Sequence, residues 1–167
     1  MNLLQSRTVL LICLAVAMLS SATRTQSAGT GLMAQYFDNP DFTGFSFSRV
    51  DPCVDFDWGT AAPTNSMGSD SFSVLWQGQV EAAYSELYFF YVTADDGFRL
   101  WVDNRLVMAR TVSSPANAEL SGRIALEAGR RYNLCLQFFC FRHSLVRLTL
   151  IQRSDDLARD TNAFFDA

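Results

Sequence analysis

The chain has 167 residues, of which 49% are hydrophobic and 13% aromatic, with 13 basic residues, all of them arginine, 17 acidic side chains and one histidine. That length suits one domain of ordinary size, and the apolar content excludes an intrinsically disordered chain, because enough surface can be buried to offset the entropy of ordering. A net charge of −4 with the arginines scattered along the chain excludes nucleic acid as the main partner, since phosphate neutralisation needs positive charge gathered on one face.

Residues 1–22 read as a secretory signal peptide. Arg7 lies in a short polar stretch, eleven apolar residues run from Val9 to Leu19, and Ser20-Ser21-Ala22 offers a small-residue cleavage site. As a helix such a run spans about 16 Å, roughly half of the ~30 Å hydrocarbon core. A cleaved leader is therefore expected, with no membrane insertion after its removal. Residues 23–30 follow as a polar linker, residues 31–152 as the folded domain and residues 153–167 as a polar C-terminal tail. In that tail Phe164 and Phe165 are expected either to tuck back onto the domain or to mark where another partner begins. The expected location is secreted and extracellular.

From Gly31 onward the dominant period is two. The pattern predicts strands over Leu32 to Phe37, Phe72 to Ala82, Glu86 to Ala94, Phe98 to Asp103, Arg105 to Ala109, Leu120 to Leu126, Arg131 to Phe141 and Leu145 to Gln152. Turn chemistry separates them, including Asn39-Pro40-Asp41, Asp51-Pro52, Asp96-Gly97, Asp103-Asn104 and Ala128-Gly129. Many short strands with regular turn signals predict an all-β fold, an antiparallel β-sandwich. Asp103-Asn104 reads as a tight hairpin, since Asn tolerates positive φ. Tyr132, Leu134, Leu136 and Phe138 form one apolar face, and Tyr88 to Tyr91 read as a central strand buried on both faces. Trp76 and Trp101 read as core, and Asp55 and Asp57 as turn and cap residues around a packed Trp58.

Export removes Cys13 with the leader and leaves Cys53, Cys135 and Cys140, an odd number in an oxidising compartment. Cys135 and Cys140 on one strand stand about 16 Å apart, beyond disulfide reach. Cys53 is expected to pair with Cys140, at the end of its strand near loops. Cys135 is then a thiol able to link two chains in a disulfide-bonded dimer. Three free buried thiols are the alternative.

Asp95-Asp96-Gly97 ends the most apolar strand. Neighbouring side chains of an extended strand point to opposite faces, so the two carboxylates share a ligand only across a sharp turn or a cis peptide. The same triplet is also ordinary turn chemistry. A calcium ion, with six to eight oxygen ligands, would offset the repulsion of two such charges. Glycoside hydrolysis needs carboxyl groups about 5 to 9.5 Å apart on either side of a bond, and no nucleophile elbow of the G-x-S-x-G type is present. The chain is therefore expected not to be an enzyme. His143 stands without a second His or Cys nearby and reads as a solvated loop residue, not a zinc ligand.

Gly31 to Phe37 (GLMAQYF), Arg49-Val50-Asp51-Pro52 with Asp55-Phe56-Asp57-Trp58, Phe72 to Gly78 (FSVLWQG), Thr93 to Val107 (TADDGFRLWVDNRLV) and Gly122 to Tyr132 (GRIALEAGRRY) together resemble the protective-antigen N-terminal domain family, the PA-fourteen domain. The resemblance covers roughly residues 31–150. It implies a β-sandwich of the kind found in secreted adhesins, in toxin components and as an accessory module of glycosidases. In the adhesin branch the positions matching Asp95 and Asp96 hold a calcium ion that also contacts sugar hydroxyls, and a loop Asn helps to hold the ion. The loop here, Phe141-Arg142-His143-Ser144, lacks that Asn. The resemblance thus implies a secreted carbohydrate-binding module that recognises glycans or glycoproteins with the help of calcium. Asp95 and Asp96 would be metal ligands, with Gly97, Arg142, His143 and Ser144 at the ligand. The alternative is a structural or adhesive extracellular module that binds protein and carries a degenerate metal site.

Overall fold

The structure, a computed structural model, describes residues 30–111, 118–141, 144–152 and 165–166. The expected signal peptide and linker, loop residues Arg142 and His143, and most of the tail lie outside the described residues. Among the described residues eleven strands run in chain order: β1 (Leu32–Phe37), β2 (Phe45–Asp51), β3 (Asp55–Gly59), β4 (Ser73–Glu81), β5 (Glu86–Ala94), β6 (Gly97–Val102), β7 (Arg105–Arg110), β8 (Ala118–Leu126), β9 (Arg131–Phe139), β10 (Ser144–Gln152) and β11 (Phe165–Asp166). They form two antiparallel sheets, one of seven strands in the order β2-β1-β4-β9-β6-β7 with β11 beside β4, and one of four in the order β3-β10-β5-β8. The expected all-β sandwich is the fold observed.

Alternation supplies the core. On β9, Tyr132, Leu134, Leu136 and Phe138 are buried while Asn133 and Gln137 face outward, as a strand with one covered face requires. From the larger sheet they meet Tyr36, Trp76 and Leu100, and from the smaller sheet Phe90, Val92 and Leu148. Trp76 is fully buried, but Trp101 lies on the outer face of β6, half-buried. β5 is likewise covered on one face only: Tyr88, Phe90 and Val92 are buried and Phe89 and Tyr91 half-buried. The hairpin at Asp103-Asn104 forms as expected, with φ of 47° and 61° at its two central residues.

Two strands escape the sequence pattern. β2 and β3 are edge strands whose inner faces carry Arg49, Asp51, Phe56 and Trp58, a mixture that does not read as an apolar stripe. Asp55 and Asp57 therefore sit on a strand and not in a turn. Asp55 accepts a hydrogen bond from Arg147 Nε at 2.7 Å, and Asp57 accepts the Gly59 N–H at 3.2 Å. Phe165 does return to the domain, pairing with Val80 at the far end of β4.

The expected Cys53–Cys140 disulfide does not form: Cys53, Cys135 and Cys140 all keep their thiols outside any disulfide. Register explains it. Cys53 follows Asp51, which pairs with Leu32 at the start of β1, whereas Cys140 follows Phe139, which pairs through Ser73 with Phe37 at the end of β1. The two cysteines thus lie at opposite ends of the sandwich, separated by about five residues of strand or ~16 Å, against a disulfide reach of about 7 Å between Cα atoms.

The same registers gather function-bearing positions at one end. Phe37 pairs with Phe45 and with Ser73, Ser73 with Phe139, Phe139 with Gly97, and Val146 with Ala94. The ends of β1, β5 and β9 and the starts of β2, β4, β6 and β10 therefore share one rim.

Candidate functional site: the acidic turn and its rim

β5 ends at Ala94 and β6 begins at Gly97, so Asp95 and Asp96 make the whole connection. No cis peptide occurs among the described residues. A tight trans turn therefore brings both carboxylates to the same loop. Gly97 is required by contact, because a Cβ there would lie 1.8 Å from the Phe139 ring.

Each carboxylate is committed to the β9–β10 segment. Asp95 exchanges two bonds with Leu145: its N–H donates to the Leu145 carbonyl at 3.3 Å, and its Oδ1 accepts the Leu145 N–H at 3.0 Å. Asp96 is 7% exposed, and its Oδ2 accepts the Phe141 N–H at 2.8 Å. The bond to Phe141, with that from Cys140 N–H to the Phe72 carbonyl at 2.9 Å, ends β9 at Phe139, two residues before the pattern predicts. Burial pushes the Asp95 carboxyl above the usual carboxylate range, with the neighbouring Asp96 charge adding to the effect and its backbone hydrogen bonds opposing it.

Arg110, the last residue of β7, completes the cluster and was not singled out by sequence reasoning. It is 7% exposed, its Nε donates to the Asp96 carbonyl at 3.1 Å, and its Nη2 donates to the Ala94 carbonyl. The guanidinium lies over the Phe98 ring, 5.5 Å from its centroid. Burial lowers its pKa, and the charges of Asp95 and Asp96 oppose that lowering. A signal for it did exist: Met108 and Arg110 share the inward parity of β7, so a charged residue there calls for a buried partner.

Among the described residues the donor set falls short of the calcium site that the resemblance implies. Such an ion seeks six to eight oxygens. One oxygen of each carboxylate already accepts a backbone N–H, and the carbonyls on either side of Asp95 accept from a cation. Among the described residues no group of three or more His, Cys, Asp or Glu is placed to hold a metal.

Beside the cluster the rim is aromatic. Phe45 and Phe141 are 57% and 51% exposed. Phe45 packs edge-on against Phe37 at 5.9 Å between centroids and Phe141 against Phe139 at 6.1 Å. β4 lies between β1 and β9, which sets Phe37 and Phe139 about 10 Å apart. Phe42 holds φ at 63° with its ring against Phe37 at 5.8 Å, a conformation costly for a bulky residue. The surrounding loop maintains it: the Thr43 N–H donates to Asn39 Oδ1 at 3.1 Å, Thr43 Oγ1 donates to Asp41 Oδ1 at 2.6 Å, and Asp38 Oδ1 accepts the Gly68 N–H at 2.8 Å. Of the ligand residues the resemblance implies, Gly97 and the start of β10 at Ser144 lie on this rim.

A second buried carboxylate lies toward the other end. Asp51, 2% exposed, accepts from Tyr36 Oη at 2.7 Å, from Trp76 Nε1 at 2.8 Å and from Arg49 Nε at 2.6 Å. Burial first, and then Asp51, push the Tyr36 phenol far above its ordinary range, so it remains a donor.

Known proteins are similar to this chain in sequence and in fold. The PA14 domain model matches residues 29–143. Anti-sigma-I factor RsgI3 of Acetivibrio thermocellus is 46% identical over 117 residues, which is 70% of this chain and 18% of that protein. Protective antigen of Bacillus anthracis is 25% identical over 116 residues, 68% of this chain and 14% of that protein. The chain therefore spans less than a fifth of either curated relative. A solved anti-sigma factor domain-containing protein superposes with a TM-score of 0.75 at 38% identity, over 83% of this chain and 49% of that one. The Epithelial Adhesin 9 A domain of Candida glabrata, solved in complex with Galb1-4GlcNAc, shares the fold at a TM-score of 0.63 and 13% identity, over 83% of this chain and 89% of that one. Together with the motifs and the sandwich, the family match over most of the folded region establishes that this chain belongs to the PA14 domain family.

Proposed function

We propose that the chain is an extracellular carbohydrate-binding module that takes its glycan at the rim built by the β1–β2 loop, the Asp95-Asp96 turn and the β9–β10 segment. The observation that carries this reading is the pair of half-exposed rings, Phe45 and Phe141, seated on Phe37 and Phe139 beside a polar cluster already braced by hydrogen bonds. Sugars present apolar C–H faces and hydroxyl edges, and a site with aromatic walls and a few rigid polar groups meets both. Arg142 and His143 are the loop residues assigned to selectivity, with Gly97 at the start of β6 and Ser144 at the start of β10 as further ligand positions. The adhesin domain solved with a disaccharide supports this use of the fold. The relative named as an anti-sigma-I factor carries the matching region in 18% of its length, so a module of this kind also occurs inside a regulatory protein. The same reading makes the chain a binder and not an enzyme: the two carboxylates are adjacent in one turn and tied to backbone amides, not set on either side of a cleft.

A second reading, recognition of protein, is favoured by one observation. Val50, Met33, Gln77, Cys135, Trp101 and Leu106 form a single cross-strand row on the outer face of the larger sheet, with Val50, Met33 and Leu106 44%, 42% and 52% exposed.

A broad glycan array probed with the chain and with its Phe45→Ala/Phe141→Ala variant tests the first reading. Binding by the parent that falls at least about tenfold in the variant, with unchanged melting temperature, is expected, since truncating exposed side chains costs little stability. A parent that binds no glycan refutes it. Loss of binding on Met33→Ser/Leu106→Ser instead moves the site to the sheet face.

A further inference from the structure

We propose that the Arg110 guanidinium does in this chain what the family resemblance assigns to a calcium ion: it offsets half of the charge of Asp95 and Asp96, anchors their turn to the core and sets the ligand rim without a metal. Arg110 reaches across the top of the sandwich from β7, and its two donor groups bind the carbonyls of Ala94 and Asp96, the residues on either side of Asp95. The turn is held from below by a cation and from the side by the backbone of Phe141 and Leu145.

Charge decides the matter. A buried guanidinium is tolerated only beside compensating negative groups, and the carboxylates acting on it are those of Asp95 and Asp96. The same two carboxylates, alone, would repel each other and draw in a cation. With Arg110 present their combined charge falls from −2 to −1. A divalent ion entering beside them meets a like charge at short range in a poorly screened site. The Ala94 and Asp96 carbonyls, the neutral oxygens of the same turn, already accept from the guanidinium. The missing loop Asn at Phe141 to Ser144 and the buried Arg at the end of β7 are then two sides of one change, from a soluble cation to a covalently attached one.

Thermal melts of the full chain in chelator and in millimolar calcium, with no glycan present, decide this independently of the ligand. The parent is expected to melt at the same temperature in both. Arg110→Gln is expected to melt roughly 10 °C or more lower in chelator, because it leaves buried Asp96 and half-buried Asp95 without their cation, and to recover part of that loss in calcium. The triple variant Arg110→Gln/Asp95→Asn/Asp96→Asn, with all three charges removed, is expected to melt above the single variant in chelator and to ignore calcium. Should Arg110→Gln fail to fold in chelator, folding of the triple variant still upholds the proposal. A parent stabilised several degrees by calcium overturns it, as does an Arg110→Gln protein that melts with the parent, or a triple variant no better than the single one.

Discussion

Replacing Asp51 by Asn tests whether the second buried carboxylate holds β2 to the core. The residue is 2% exposed and faces three donors: Tyr36 Oη and Trp76 Nε1 on one oxygen at 2.7 and 2.8 Å, and Arg49 Nε on the other at 2.6 Å. An Asn side chain offers one acceptor oxygen and two N–H donors in the same volume. If its oxygen stays with Trp76 and Tyr36, its NH2 confronts Arg49. If it turns over, the indole N–H of a fully buried Trp faces another donor and goes unsatisfied. Hydrogen bonds to a charged group contribute about 1.5–3 kcal/mol and a stranded buried donor costs about 1–3 kcal/mol, so Asp51→Asn should lose about 3–4 kcal/mol, or roughly 12–20 °C in melting temperature. Urea unfolding followed by Trp fluorescence measures the loss. A cycle with Trp76→Phe, which removes the indole donor, should show a coupling of at least about 1 kcal/mol. A loss below about 1 kcal/mol, or no coupling, would refute the assignment.

Other consequences are equally measurable. The Asp95 carboxyl is raised by burial, so ionising it opposes folding: its contribution is most favourable below the unfolded carboxylate range and is lost as pH rises through the folded value. The melting temperature of the parent minus that of Asp95→Asn should therefore increase as pH falls from 7 towards 3, and a decrease would contradict the burial argument. Gly97→Ala places a Cβ 1.8 Å from the Phe139 ring and should cost about 1–3 kcal/mol through forced displacement of that ring. Adding Phe139→Leu should return part of the loss, and urea titration of the two variants checks both. Alkylation mapped by mass spectrometry should modify exposed Cys53 first and half-buried Cys135 slowly, its thiol being raised by burial. Buried Cys140 should react only on unfolding, and a Cys53–Cys140 cross-link in the folded protein would contradict the register given above.

Local pattern made much of this molecule legible before any coordinates. The alternation in β1, β4, β9 and β10 requires a sheet with one covered face, and Asp103-Asn104 names its own hairpin. The acidic pair stood out through the family resemblance, since by spacing alone Asp-Asp-Gly is also ordinary turn chemistry. What it was paired with did not stand out. Arg110 is fourteen residues from Asp96, and Phe141 is 45 residues from it. The Asp103-Asn104 hairpin sets β7 beside β6 and so Arg110 opposite Phe98, but nothing in the spacing of residues along the chain says that the end of β9 lies against the same turn.

The same division runs through the rest of the protein. Strand identity, face parity and turn type follow from the chain alone, because they depend on φ, ψ and side-chain direction over a few residues. β2 and β3 needed their partners: an edge strand with Arg49, Asp51 and Trp58 on its inner face becomes a strand only because β1 and β10 offer it unpaired amides and carbonyls. Cysteine pairing was likewise a question of which end of the sandwich each thiol reaches, set by the register of β1 with β2 and β4. Pairing register is a property of two strands at once, and only the folded sheet holds both.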